Sequence, residues 1–478
     1  MMPVADVRRP PYVGQRTPDF AGSSGAKAGF RIGSRPRGPS RNPPWAWDTM
    51  FALGLLLSPS SQLRPRGFPI GPGELFLLVS VLLMLSREVA RLGPPLTPAL
   101  SRLLIFWALF TIALSIGTVA AFVIQDSHDS DWFLHDIVAY PLLAAVSCLS
   151  VFEPGAGPRL RRVAWLLVVL GTGSLALQLA EASGLVDVVS SDPWFWDRFR
   201  GWSANPAQLA LLCAALGLLS LHLAETADRP GQRLAAIACA ILPIYVGRLS
   251  KTDTFMFVLV AAGPMFVALK FRTLLLSPDR HMTFRAASAW MVVLTLPLIF
   301  AAAVPLGSSI AAQTEALAKM MSKDNGKTTG QEAELRLQIW SEALSRGIEA
   351  GMLGLGPGPH LQTPPSLLLT RMATLDRPKG VLHPDANGTP NFEAHNTTLD
   401  LFLQGGLLAV LSFFWLVAMA LSSTYKARLA GLTTLLCGLL LFSMFVLIVR
   451  HPIFWFAIGL CLVADAGTGT TAVVRDGS

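Results

Sequence analysis

The chain contains a series of apolar stretches, each about as long as a membrane is thick. A helix that crosses the hydrocarbon layer needs about twenty mostly apolar residues. Of the 478 residues, 52% are hydrophobic and only 14% are charged, whereas about a quarter are charged in soluble proteins. The sequence therefore predicts an all-α polytopic membrane protein with about twelve transmembrane helices, near residues 46–61, 68–86, 103–124, 136–153, 163–182, 205–224, 234–249, 254–270, 288–307, 397–421, 429–449 and 452–466.

The apolar stretches divide the chain into five segments. Residues 1–44 are rich in proline, glycine and basic residues and lack apolar periodicity, so we expect a disordered basic cytoplasmic tail. The sequence then predicts a bundle of about nine transmembrane helices over 45–307, a long hydrophilic loop over 308–396, the C-terminal transmembrane helices over 397–466 and a cytoplasmic tail over 467–478.

The basic residues indicate how the helices are oriented. Lysine and arginine are retained on the cytoplasmic side of short loops, and the short inner loops hold about twice as many of them when the N-terminus is placed inside. Both termini are then cytoplasmic and the 308–396 loop lies outside. Because topology and the N-terminal tail account for the net charge of +8, no nucleic-acid partner is expected.

The long outer loop contains a predicted amphipathic helix over 331–350. Arg336 falls on the flank of its apolar face, where it is either an ordinary interfacial arginine or part of a site. The pattern is typical of a helix that lies on a membrane surface or caps a bundle. The apolar face consists of Leu337, Trp340, Leu344 and Ile348.

A glycine-rich turn follows this helix. Residues 351–358 alternate glycine, including Gly356, with apolar residues and proline, which ends the helix and permits close backbone approach. The turn does not follow a predicted strand, so it is not a dinucleotide-binding loop. His360, directly after it, is either a solvated loop residue or a second polar group of a site.

A second outer loop places arginines among tryptophans, in residues 194–206. Tryptophans at an interface are ordinary anchors. Arg198 and Arg200 are less expected there, and a guanidinium matches phosphate oxygens with two parallel hydrogen bonds. In the next outer loop Lys251 is either functional or paired with Asp253.

Metal binding has little support in the sequence. Asp129 and Asp131 could share a divalent cation, but an acidic loop that is simply solvated is the simpler interpretation. The five cysteines all lie in predicted helices, so the sequence shows neither a zinc spacing nor a disulfide framework.

His395 and Asn396 stand where the long loop meets a predicted transmembrane helix. Histidine is the side chain whose unperturbed pKa lies closest to neutral pH, so His395 is a candidate catalytic base at the mouth of the bundle. Asn396 either orients this histidine or caps the following helix.

Taken together, these strings resemble the O-antigen ligase and O-antigen polymerase family of bacterial envelope glycosyltransferases. The first is Arg-Phe-Arg-Gly-Trp-Ser-Ala-Asn-Pro at 198–206. The second is Arg-Leu-Gln-Ile-Trp at 336–340, followed by the glycine turn at 354–358. The third is His-Asn-Thr-Thr-Leu at 395–399. The order of these parts is more specific than any one of them. Two positions depart from the family pattern: Gln404 stands where glutamate is common, and Lys251 where arginine is.

The resemblance implies a multi-pass protein of the bacterial inner (plasma) membrane that acts in lipopolysaccharide biosynthesis. Its partners would be a glycan donor on undecaprenyl diphosphate, a lipid A-core or glycan acceptor, and membrane lipid. It would need no cofactor and no metal. The expected activity is that of an O-antigen ligase, with an O-antigen or exopolysaccharide polymerase as the alternative. A lipid-linked sugar transporter or flippase is the alternative of a different class.

The resemblance also suggests roles for individual residues. We expect His395 to be the catalytic base and Arg198 and Arg336, supported by Arg200 and Lys251, to bind the diphosphate. In supporting roles we expect Asn396, Trp340 and Gly356. A flippase would instead show ionisable residues deep in the bundle and broken helices near its midplane.

Overall fold

The computed structural model describes residues 45–64, 70–89, 96–124, 130–153, 156–188, 192–195, 197–275, 329–362 and 391–464, although a few side chains within these ranges are not described. The predicted helix 288–307, both predicted tails and most of the predicted outer loop lie outside these ranges. So does Asp129, and the side chain of Asp131 is likewise not described.

The described part of the chain is almost entirely helical, which confirms an all-α polytopic membrane protein. Its helices are α1 Trp45–Leu57, α2 Pro72–Val89, α3 Pro98–Val123, α4 Ser130–Ser150, α5 Ala156–Ala182, α6 Pro206–Thr226, α7 Pro230–Leu249, α8 Asp253–Leu275, α9 Thr329–Glu349, α10 Thr397–Lys426, α11 Ala430–Ser443 and α12 Pro452–Val463.

Seven helices in the described ranges are long and apolar enough to cross a membrane. They are α3, α5, α6, α7 and α10, with most of α4 (Phe133–Ser150) and most of α8 (Asp253–Thr273). The helices α1, α11 and α12 are apolar but shorter. Several side chains on these helices stay exposed although they are large and apolar, as expected of surfaces that face lipid rather than water.

Local sequence signals explain where several helices begin. Thr97 and Asn205 each accept a hydrogen bond from a backbone N–H of the first turn and are followed by proline, the residue best suited to the first helical position. Asn396 caps α10 by accepting from Thr398 N (3.0 Å) and Leu399 N (3.3 Å). The capping role considered for Asn396 is therefore confirmed.

A buried aromatic cluster joins three of the helices. Trp455 of α12 is fully buried against Trp107 of α3, with ring centroids 4.5 Å apart, and against Phe106 at 5.2 Å. Trp107 Nε1 donates to Ser147 Oγ of α4 at 2.8 Å. These contacts hold α3, α4 and α12 together.

Two short antiparallel strand pairs lie in the described ranges. Trp194–Phe195 (β1) pairs with Arg198–Phe199 (β2) in a hairpin, and Leu361–Gln362 (β3) pairs with Asn391–Phe392 (β4). The second pair brings the end of the glycine turn beside the segment that leads to His395.

The helix α10 is broken near its start, where the sequence predicted an uninterrupted helix. Gly406 has φ +62° and ψ −158°, a conformation open almost only to glycine. The glycine turn occupies the break: Leu355 N donates to Leu403 O at 2.7 Å, and Gly356 N donates to Gln404 O at 2.8 Å. Leu407 N donates to Met352 O at 3.0 Å. Carbonyls freed by the break are thus satisfied by protein, as an apolar environment requires.

Candidate functional site

His395 lies directly before α10, with its side chain 57% exposed. Its backbone has φ +51°, a left-handed conformation that is uncommon for a residue with a β-carbon and that often marks a functional position. The ring therefore projects from a backbone conformation that the surroundings must hold in place.

Asp400 and Trp340 hold the backbone on both sides of His395. The buried Asp400 carboxylate accepts from Ala394 N at 2.8 Å and from Asn396 N at 3.2 Å. Trp340 of α9 donates from Nε1 to Ala394 O at 3.2 Å. Ala394 is thus bound through both its N–H and its carbonyl, which restricts where the neighbouring imidazole can point.

Behind His395 is a cluster of ions that we call the Arg450 cluster: Arg450, Asp136 and Glu393. Arg450 forms ion pairs with Asp136 Oδ2 and with Glu393 Oε1. Asp136 is fully buried, and Arg450 and Glu393 are 12% and 21% exposed. Such buried pairs are costly unless well hydrogen-bonded, and Asp136 also accepts from Gly358 N at 3.1 Å.

The remaining carboxylate oxygen of Glu393 faces the histidine. Glu393 Oε2 lies 4.0 Å from His395 Nδ1, within ion-pair range although beyond hydrogen-bond range. A chain of contacts thus joins Asp136 of α4, Arg450 and Glu393 to the His395 imidazole.

The glycine turn adjoins the Arg450 cluster, because Gly358 N donates to Asp136. Gly356 has φ +89°, and a β-carbon there would lie 2.6 Å from Thr118 Oγ1 of α3, so only glycine fits. Buried His360 places Nε2 2.8 Å from Gly356 O. Below it, Tyr140 donates to Gln404 Oε1 at 2.6 Å, so Gln404 has a structural partner at the position where the family often carries glutamate.

Charge and burial shift two pKa values beside His395. Burial alone would lower the pKa of Arg450, but Glu393 and Asp136 outweigh it and hold that pKa above its ordinary value. Burial lowers the pKa of His451 to about 4, opposed by Glu393 and reinforced by Arg450. At neutral pH the arginine is charged and His451 is neutral.

Arg336 lies close to this region. It stands one helical turn before Trp340, and its guanidinium lies 5.5 Å from the ring centroid of Phe445. Phe445 adjoins Val446, whose carbonyl accepts from Thr397 at the start of α10.

The helix α9 packs on the bundle through a face that only partly matches the predicted one, because Trp340 of the predicted face does pack there. Ile339 and Ala343 are buried. Leu337, Leu344 and Ile348 are at least half exposed and are available to lipid. The sequence pattern predicted the helix correctly. It assigned Leu337, Leu344 and Ile348 to the packing face because apolar side chains lie on more than one side of this helix.

Arg198, Arg200 and Lys251 form a second group, which we call the hairpin group. Lys251 Nζ pairs with Asp197 Oδ2 at 2.7 Å, and this hydrogen bond lowers the pKa of Asp197. The partner of Lys251 is thus on the hairpin, 54 residues earlier, rather than the neighbouring Asp253. Arg198 is exposed in β2.

Arg200 differs from the other two cations because it is buried. Its guanidinium donates twice to Asp192 O, at 3.2 and 3.1 Å, and lies 5.7 Å from the Phe195 ring centroid. Burial lowers the pKa of Arg200. Its hydrogen bonds therefore shape the loop around the hairpin.

These contacts place the predicted residues in two groups. Trp340, Gly356 and Asn396 lie around His395, with Arg336 beside them, whereas Arg198, Arg200 and Lys251 lie around the hairpin. That both groups line one cavity remains a prediction.

Sequence reasoning missed the carboxylates around His395. Asp136 and Asp400 each fall inside an apolar stretch, and an ionisable residue in such a stretch is a functional candidate by default. That signal was present in the sequence. The pairing of Asp136 with Arg450 was not, because the two are 314 residues apart. Within the described ranges, no group of three histidine, cysteine or acidic residues could hold a metal ion.

Comparison with protein families gives a match over part of the chain. Residues 236–414 match the family model described as O-antigen ligase. The matched segment contains Lys251, α9, the glycine turn and His395, while Arg198 and Arg200 lie before it. A search of curated proteins gave no match.

Proposed function

Residues 236–414 of this chain belong to the O-antigen ligase family, and from that premise we propose that the protein is an O-antigen ligase. In this proposal it transfers a glycan from undecaprenyl diphosphate to a hydroxyl of a lipid A-core acceptor. The family match supports a membrane glycosyltransferase of ligase or polymerase type. The observation that supports catalysis by this segment is an exposed histidine whose neighbouring backbone is fixed on both sides.

We also propose that the protein lies in the bacterial inner membrane, with about twelve transmembrane spans and both termini in the cytoplasm. His395 and the 308–396 segment then face the periplasm. The seven long apolar helices support a multi-pass protein, and the distribution of lysine and arginine supports the orientation.

In the proposed mechanism His395 is the general base. The acceptor oxygen forms a bond to the anomeric carbon while its proton passes to the imidazole, and the bond between that carbon and the diphosphate oxygen breaks. The electron pair of the broken bond leaves on the lipid diphosphate. A positioned base contributes about 10²- to 10⁴-fold in rate. The exposed ring leaves the imidazole accessible to the acceptor hydroxyl.

Cations then stabilise the charge that develops on the diphosphate. Arg336 is the best placed, because Trp340, one turn away, bonds to the carbonyl next to His395. Arg198 and Lys251 would approach from the hairpin group. Arg200 would act by holding the hairpin, since its guanidinium already donates to Asp192 O. This mechanism routes no step through a metal or a cofactor.

One observation bears on the flippase alternative. The broken helix that a carrier would show is present in α10, but the break lies only two to three turns from the start of the helix. The glycine turn fills it with three backbone hydrogen bonds. These hydrogen bonds hold the break in one arrangement, which favours a rigid site over a moving gate.

Two experiments test the proposal. Purified protein in detergent should transfer glycan from the lipid-linked donor to the acceptor, and donor left intact under these conditions would contradict an enzyme. In a deletion strain, a gel of envelope glycans should lack the lipopolysaccharide ladder while lipid-linked polymer persists. Accumulation of single-repeat products would instead identify a polymerase.

A further inference from the structure

Glu393 lies between two basic groups, and each of its carboxylate oxygens faces one of them. Oε1 is bonded to Arg450, and Oε2 lies 4.0 Å from His395 Nδ1. Because Arg450 is itself bound to fully buried Asp136, the Glu393 side chain is anchored at its far end.

The charges in this cluster do not balance. One guanidinium lies between two carboxylates, those of Asp136 and Glu393. Within the Arg450 cluster the carboxylates therefore outnumber the guanidinium, and Oε2 of Glu393, the oxygen that is not paired with Arg450 Nη1, faces the imidazole. A proton arriving on His395 would neutralise that surplus. The structure thus holds a counter-charge in place for a cation that exists only after the base has acted.

The free carboxylate oxygen also distinguishes the two ring nitrogens. In a neutral imidazole one nitrogen carries hydrogen and the other is basic, and a negative charge beside one of them favours the tautomer with hydrogen on that nitrogen. Glu393 Oε2 faces Nδ1. This favours the tautomer with hydrogen on Nδ1 and leaves Nε2 to take a proton.

We propose that Glu393, anchored by Arg450, is a positioning residue for His395 that directs Nδ1–H toward itself and leaves Nε2 as the base. This inference rests on the proposed function. It adds a residue that acts through the histidine rather than on the substrate, in the manner of the orienting group of a base–orienter pair.

Other groups around Glu393 and His395 also affect their charge. Asp400 engages both of its oxygens with backbone N–H groups, and His135 lies 3.2 Å from Asp136. The charged and titratable groups on the surrounding elements include His135, Asp136 and Tyr140 on α4, Arg336, Glu342, Arg346 and Glu349 on α9, His360 after the glycine turn, Asp400 on α10, and Arg450 and His451 before α12.

The test compares Glu393→Gln, Glu393→Asp and Glu349→Gln in the purified full-length protein. Glu349 is an exposed carboxylate at the end of α9, so it controls for the same chemical change. We expect kcat/KM of Glu393→Gln to fall roughly tenfold or more, with Glu393→Asp recovering part of the loss and Glu349→Gln near wild type.

The pH profile distinguishes positioning from simple destabilisation. The acid limb of kcat/KM reports protonation of the free enzyme's base. Losing a negative charge about 4 Å from the ring should move that limb to lower pH by roughly 0.7 to 1 unit. A structural defect would lower the amount of active protein without moving the limb.

His395→Ala, assayed in parallel, separates the two ideas. If it stays active, the proposed function is wrong. If it is inactive while Glu393→Gln keeps both the wild-type rate and the wild-type acid limb, only the role of Glu393 is overturned.

Discussion

The surroundings of His395 and the hairpin group differ in how their charges are held. Around His395, ions from α4, from the segment before α10 and from the segment before α12 meet with little exposure. In the hairpin group the Lys251 and Asp197 side chains are 55% and 69% exposed. A buried network fixes geometry, whereas an exposed pair contributes little stability. The first arrangement suits a base that must be aimed, and the second suits cations that adapt to a flexible diphosphate.

Among the substitutions that test this difference, Arg450→Met should have the largest effect on stability and activity. The change removes the guanidinium that pairs with both Asp136 and Glu393, and breaking a buried pair costs about 3–5 kcal/mol. We expect a large drop in the thermal unfolding midpoint of the detergent-solubilised protein, together with loss of transfer.

A second substitution checks the cause. Adding Asp136→Asn to Arg450→Met should recover part of the stability, because one unpaired charge is removed. If Arg450→Met alone unfolds at the wild-type temperature, the Arg450 cluster does not hold this region.

The next effect is that of Arg336→Lys. Lysine keeps the charge but loses the planar fork, so we expect kcat/KM to fall roughly tenfold with stability unchanged. Arg346→Lys, ten residues later on the same helix, is the matched control. Equal activity of the two variants would show that Arg336 does not contribute to the catalytic site.

A smaller effect should appear as a pH dependence of stability. The pKa of His451 is about 4 when folded against an ordinary value near 6.5, so between these values the unfolded chain binds more protons. The contribution of His451 to the free energy of unfolding should be constant above about pH 6.5. As the pH drops toward 4, this contribution should lower the free energy of unfolding by at most about 1.4 kcal/mol per pH unit. His451→Gln should flatten this slope in thermal unfolding, and an unchanged slope would contradict the assignment.

The smallest effect should be that of Lys251→Ala. An exposed pair contributes about 0.2–1 kcal/mol, so the unfolding midpoint should barely move and transfer should fall by a few-fold at most. A loss as large as that of Arg450→Met would show that the hairpin group is as tightly constrained as the His395 region.

The parts of the molecule that sequence could predict are those that local chemistry decides. Apolar length predicted the helices, and Asn396 before an apolar stretch predicted a cap that the structure confirms. Trp340 was expected in a supporting role from the family resemblance. It donates a hydrogen bond to the carbonyl of Ala394, next to His395, and the role itself stays a prediction.

The rest depends on pairing across the chain. In the sequence Arg450 resembles any loop arginine, and only the fold pairs it with Asp136. Likewise, Lys251 pairs with Asp197 of the hairpin rather than with the neighbouring Asp253. The break in α10 was equally hidden. Two adjacent glycines are tolerated in a membrane helix, and only the docked glycine turn shows why the helix stops there.

The most direct test of the central claim is a transfer assay of purified His395→Ala, with Ser345→Ala, an exposed change on α9, as the control for expression and insertion. The proposed role predicts a rate lower by about 10²-fold or more, with unchanged protein level, membrane insertion and unfolding temperature. A His395→Ala protein that still transfers glycan at more than half the control rate would contradict it.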